Sequence, residues 1–267
     1  MRRGGRHARS STQRSPSLAH LAFLWSIALA ATMQLKDVVD SQHLAQGWAY
    51  LALVAPLSLM TLGLWRRTQW LAWPRAEAFH GYSIGWYAPA FPLLAIAWLF
   101  GVFLEGSATP LTYVPLLNPL EAGLIAVAAL LGAYLSETPP RRPLLKIWPF
   151  VGFLFVTMAT LRGVHHWHGE AWGFALLDSG FSQAALTVVW SVIGVGSMLL
   201  GSRRVQRPLY FGGFTLMIVV LAKLIAVDRH YAGNIPGIVS FFVVGLLLVG
   251  VGYFAPSPPK AREGVPS

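Results

Sequence analysis

Apolar residues in this chain come in eight long runs, separated by short polar stretches. The runs cover about Leu18–Leu35, Gly47–Trp65, Trp86–Leu104, Pro119–Leu135, Trp148–Leu161, Gln183–Leu200, Leu209–Val227 and Gly237–Phe254. A hydrocarbon core about 30 Å thick needs roughly 20 residues of helix to cross it, and most runs come near that length. They are too long for barrel strands and do not alternate strictly between apolar and polar. The pattern predicts an all-α, polytopic transmembrane helical bundle of about eight transmembrane helices. The predicted organisation is a basic tail over 1–17, a bundle over 18–254 and a Pro-rich tail over 255–267.

Punctuation at the run ends agrees. Pro119, Pro149 and Pro208 stand at or beside helix starts, where a missing N–H costs nothing. Trp48, Trp65, Trp86, Trp148 and Tyr253 fall near run ends, as interfacial aromatics do. Pro56 lies inside the second run and is expected to kink it. The fifth run is the shortest.

Composition supports the same class. Hydrophobic residues make up 55% of the 267 positions and charged residues only 11%. Soluble domains carry about 25% charged residues, so this chain cannot cover a water-facing surface. The net charge of +10 could suggest nucleic acid, but the basic residues sit in short clusters between the runs. Arg2, Arg3, Arg6, Arg9 and Arg14 precede the first run. Arg66, Arg67 and Arg75 follow the second. Arg141, Arg142 and Lys146 follow the fourth, and Arg203, Arg204 and Arg207 the sixth. Lys260 and Arg262 close the chain. By the positive-inside rule these mark one cytoplasmic side, which holds both termini. Lys36, Arg162, Lys223 and Arg229 are left for the other side or the membrane. The basic start and Ala28-Leu29-Ala30 have the form of a secretory signal peptide. We read the run as a retained helix, and the later topology is the same either way. The expected location is the bacterial inner membrane, with the lipid bilayer as partner, other membrane subunits as candidates and no nucleic acid.

The chain has no cysteine, which excludes disulfides, thiolate metal sites and a cysteine nucleophile. No P-loop, GxSxG elbow, dinucleotide fingerprint or EF-hand is present. Candidate chemistry gathers on the expected outer face. Arg162, His165, His166, His168 and Glu170 are catalytic candidates. On a helix His165 and His168 share one face, and His166 and Glu170 another. Imidazoles beside a carboxylate suit proton transfer, and His165 with His168 are the candidate metal ligands. The segment lacks the spacing of a metalloprotease motif, so no metal and no cofactor is expected. Its plainer reading is a polar loop capping the fifth helix. Lys223 is the clearest charge inside a run, either snorkelling to the interface or paired with a carboxylate. Asp228 lies five residues on, a spacing that points it to another face, so Asp37, Asp40, Glu105 or Glu121 is the expected partner. Asp37 and Asp40 are placed in the first outer loop, Glu105 at the end of run three and Glu121 at the start of run four.

The stretches Ala185–Trp190, Ala222–Asp228, Gly237–Phe241 and Gly250–Pro256, together with Arg162–His168, resemble the C-terminal region of a bacterial family of polytopic membrane proteins, domain of unknown function 2339. The resemblance covers about the last hundred residues and draws attention to His165, His166, Lys223 and Asp228. It implies no activity. Two function classes follow from the residues: a transporter or membrane component of envelope assembly, and a membrane-embedded enzyme acting on a lipid-linked or periplasmic substrate through the Arg162–His168 segment. A structural scaffold is the third.

Overall fold

The structure, a computed structural model, describes residues 8–228 and 235–254. Arg229, His230, Lys260, Arg262 and the Pro-rich tail lie outside the described residues. The described residues form ten α-helices: α1 (Ala8–Ser41), α2 (Gln46–Arg66), α3 (Thr68–Leu71), α4 (Ala76–Phe79), α5 (Ile84–Gly101), α6 (Pro119–Glu137), α7 (Trp148–His168), α8 (Gly180–Arg203), α9 (Arg207–Ala226) and α10 (Ile235–Phe254). Two 3₁₀ segments, Pro139–Ile147 and Phe174–Asp178, precede α7 and α8. Among the described residues there is no β-strand. Among the described residues seven helices are long and apolar enough to cross a membrane; the eighth expected run is helix α10, apolar over Ile235–Val249. Helices are forced by the solvent, because in hydrocarbon a backbone must satisfy its own hydrogen bonds.

Two helices run past the C-terminal ends that hydropathy gives them. Helix α1 continues to Ser41, so Asp37 and Asp40 sit on its last turns rather than in a loop. The i,i+4 ion pair Lys36 Nζ–Asp40 Oδ2, 2.5 Å long, supports that polar extension. Helix α7 runs to His168, two turns beyond its apolar run. Nothing breaks it before Gly169, whose φ of +79° ends the helix and whose N–H donates back to the His165 carbonyl. The histidines are therefore helical, not a capping loop. Helix α2 is unbroken from Gln46 to Arg66 with Pro56 inside it.

The helices pack into two units, Met1–Phe155 and Val156–Ser267. In the first, α2 packs on α1, α5 and α6. Leu24, Leu64, Phe79, Trp86 and Ala90 form its main apolar cluster. The start of α6 shows a local sequence code. Asn118 caps the helix by accepting from the Glu121 N–H at 3.0 Å, and Pro119 takes the first turn. Glu121, fully buried, accepts from Tyr113 Oη at 2.8 Å and from the Leu116 N–H. Its carboxylate folds the 105–118 connection onto the helix end. The loop also reaches α2, where the Thr109 and Ser107 carbonyls accept from the Ala45 and Gly47 N–H groups.

In the second unit α8 packs along α9 and α10. Backbone approach sets the α8–α9 contact. A Cβ on Gly213 would lie 2.5 Å from the Gly194 carbonyl oxygen, and one on Gly201 would lie 2.4 Å from the Tyr210 nitrogen. In lipid, where no hydrophobic effect drives helices together, such close contact supplies the dispersion energy of association.

Candidate functional site

Most of the sequence candidates fall at one end of the second unit, formed by the C-terminal end of α7, the N-terminal end of α8 and the C-terminal end of α9. Lys223 is held there as the centre of a closed polar network. Its Nζ donates to Asp228 Oδ1 at 2.6 Å, to Thr187 Oγ1 at 2.7 Å and to the Gln183 carbonyl at 3.0 Å. Thr187 in turn donates to Asp228 Oδ2 at 2.6 Å. All three ammonium protons are used. The pair is buried, with side-chain exposures of 11% for Lys223 and 2% for Asp228.

This corrects the expected pairing. Asp228, not Asp37, Asp40, Glu105 or Glu121, is the partner. The α-helix ends at Ala226; Val227 still donates to the Lys223 carbonyl at 2.7 Å, but its φ of −112° is far from the ideal helical value, so beyond it the five-residue spacing no longer fixes the face. The alternatives are engaged or elsewhere in the chain. Asp40 pairs with Lys36, Glu121 holds its own loop, and all four lie in the first unit. Thr187 and the Gln183 carbonyl were missed. Their only signal in the sequence is a polar i,i+4 pair on α8, which becomes meaningful once α9 lies against it.

The histidine segment is ordered by local contacts. His165 Nδ1 donates to the Glu170 backbone carbonyl at 2.5 Å, and the Glu170 carboxylate accepts from Ser179 Oγ at 2.8 Å. Glu170 lies past the end of α7, so it does not share a helical face with His166. The His165 and His166 rings meet edge-on, and His168 stacks on Phe181 with centroids 4.3 Å apart. Among the described residues no three His, Asp or Glu side chains are grouped to hold a metal ion. Arg162 is fully buried in α7, beside the cluster of Leu161, Val164, Leu176 and Leu186. Ser182 Oγ is also buried and has no hydrogen-bond partner among the described residues.

The first unit holds a different kind of feature, which the sequence reading did not anticipate. A half-open cavity of about 500 Å³ lies between α1, α2 and α5. Its walls include Trp25, Ala28, Leu53, Leu57, Leu94 and Ala97, and no charged residue lines it. The Thr32 hydroxyl at its edge is turned back onto the Ala28 carbonyl, 2.9 Å away. Along α5 the lining runs from Leu93 to Gly101, and Leu104 adds to it from the turn beyond the helix. At 1.5 Å per residue the helical part is roughly 12 Å, most of the hydrocarbon depth of one leaflet. On α2 and α5 it lies in the half of the span nearer Gln46 and Gly101, and on α1 it covers the middle of the span, from Trp25 to Thr32.

Spans, buried intramembrane charges and lipid-facing apolar surface together define a multi-pass integral membrane protein. The chain belongs to the family described as predicted membrane protein (DUF2339), whose family model matches residues 2–258. The match takes in nearly the whole chain, well beyond the C-terminal resemblance. No curated protein and no solved structure matches it.

Proposed function

We propose that the protein is a bacterial inner-membrane component of envelope assembly that binds the hydrocarbon chain of a lipid or lipid-linked precursor, with both termini in the cytoplasm. The observation that carries this reading is the cavity between α1, α2 and α5. Its volume lies within the ordinary range of ligand sites, about 300–1,000 Å³, and its walls are almost wholly apolar, with Trp25, Thr32 and Tyr50 the lining residues that carry a polar side-chain atom. An apolar slot spanning most of one leaflet suits one acyl or prenyl chain, whose headgroup stays at the water boundary. The positive clusters at Arg66–Arg75 and Arg141–Lys146 support a cytoplasmic position for the opposite boundary, and with it an outer-leaflet position for the cavity. The Lys223–Asp228 network supports the same class less directly. With every donor used it has no free group for a substrate, and it acts as a clamp between α8 and α9. The enzyme reading draws less support, since His165 and Glu170 are committed to local structure.

Ala97→Trp and Ala28→Trp fill the slot, and Leu57→Ala enlarges it. Protein purified through detergent exchange is expected to retain about one lipid per chain, read by mass spectrometry of the intact complex. The Trp variants are expected to lose it and the Leu57 variant to keep it. In a deletion strain, wild type is expected to restore resistance to envelope-targeting agents and Ala97→Trp is not. Equal lipid retention by folded Trp variants would refute the reading.

A further inference from the structure

The end of the first unit opposite the cavity carries a surface that the spans do not explain. After α2 ends at Arg66, the chain makes a 67–83 connection containing α3 and α4. This connection is pinned from within. Ala72 and Phe79 are fully buried in the cluster with Leu24, Leu64 and Trp86. Pinned that way, it turns Trp70 and Trp73 outward, 81% and 74% exposed. Arg67 and Arg75 are exposed beside them. Large indoles held out into water by a rigid frame are disfavoured, whereas the headgroup layer accepts their apolar body and polar N–H together.

A second segment repeats the combination. The 3₁₀ stretch Pro139–Ile147 packs on α6 and exposes Leu144 and Ile147 alongside Arg142 and Lys146. The two segments belong to the same end of the unit. Arg66 at the end of α2 pairs with Glu137 at the end of α6, 2.7 Å apart, and the Arg66 guanidinium lies 4.1 Å from the Trp65 ring centroid. Apolar groups for the acyl boundary and cations for phosphates are thus presented twice at one depth.

We propose that this surface is a binding site for the headgroups of anionic phospholipids, with Trp70, Trp73, Leu144 and Ile147 inserted at the acyl boundary and Arg67, Arg75, Arg142 and Lys146 on the phosphates. Positive charge at one membrane end can serve topology alone. The indoles and aliphatic side chains interleaved with it, on one segment braced by buried residues and another packed on α6, point to a lipid ligand as well. The site shares no residue with the apolar cavity and is independent of what that cavity binds.

The absence of cysteine makes the test clean. The full chain is reconstituted in nanodiscs of phosphatidylcholine with increasing phosphatidylglycerol, and the lipid retained on extraction is measured. Wild type is expected to enrich phosphatidylglycerol. Each neutralisation, R67Q, R75Q, R142Q or K146Q, is expected to lower its apparent affinity about fivefold. Changing the three arginines to lysine is expected to keep most of the enrichment, which separates charge from misfolding. Nitroxides on Trp70→Cys and Trp73→Cys are expected to relax with membrane-dissolved oxygen rather than with an aqueous nickel chelate. Enrichment unchanged in the folded quadruple glutamine variant, or nitroxides reporting water, would overturn the proposal.

Discussion

Replacing Lys223 by methionine tests the clamp between α8 and α9. Methionine keeps the apolar stem and removes only the ammonium. Three donated hydrogen bonds disappear, and Asp228 is left 2% exposed with the Thr187 hydroxyl as its one remaining side-chain donor among the described residues. A hydrogen bond to a charged group contributes about 1.5–3 kcal/mol, and stripping one partner from a buried ion pair costs about 3–5 kcal/mol because the other charge stays behind. We expect a loss of about 3–5 kcal/mol for Lys223→Met. Removing both charges should cost far less, since a shape-matched apolar pair can replace a buried ion pair almost neutrally. Lys223→Met with Asp228→Leu is therefore expected to recover at least about 2 kcal/mol of the single-variant loss, a large coupling for residues in contact. The assay is reversible unfolding in mixed micelles by titration with dodecyl sulfate, followed by circular dichroism, over the full double-mutant cycle. A Lys223→Met variant within about 0.5 kcal/mol of wild type, or a double variant whose loss equals the sum of the singles, would show that the network is not a clamp.

Gly213→Ala is expected to push α9 off α8 and cost about 1–3 kcal/mol, because its new methyl would meet the Gly194 carbonyl at 2.5 Å, whereas Gly212→Ala has open space and should be neutral or slightly stabilising in the same unfolding assay. Glu121→Gln puts an amide donor where either the Leu116 N–H or the Tyr113 hydroxyl needs an acceptor, and should cost about 1–3 kcal/mol; Asn118→Ala removes the cap alone and should cost about 1 kcal/mol, both read by thermal unfolding. Reporter fusions after Arg67, Arg142 and Arg204 are expected to report cytoplasm, and fusions near Ser41, Ala108 and Glu170 the periplasm; a periplasmic signal at Arg204 would break the proposed alternation of spans.

The helices were legible along the chain because crossing a bilayer is a local demand. Each span must supply its own apolar length and its own hydrogen bonds, so α2, α6, α8 and α9 lie within a few residues of their hydropathy runs. The N-terminal end of α6 was equally local, since Asn118, Pro119 and Glu121 act on neighbouring backbone. Hydropathy fails where a helix leaves the lipid. Lys36 and Asp40 carry α1 on by an i,i+4 pair, and α7 runs on to Gly169. Which residues meet across helices was beyond a reading of periodicity. Lys223 finds Asp228 because α9 ends at Ala226 and regular helical spacing no longer holds beyond it, and it finds Thr187 because Gly213 lets α9 lie against the α8 backbone. The cavity and the braced tryptophans are likewise products of packing. A void exists only where three helices diverge, and Trp70 faces outward only because Ala72 and Phe79 are drawn in. Span positions follow from transfer energies summed along a segment, whereas partners, voids and presented surfaces follow from the relative placement of segments, which no single run encodes.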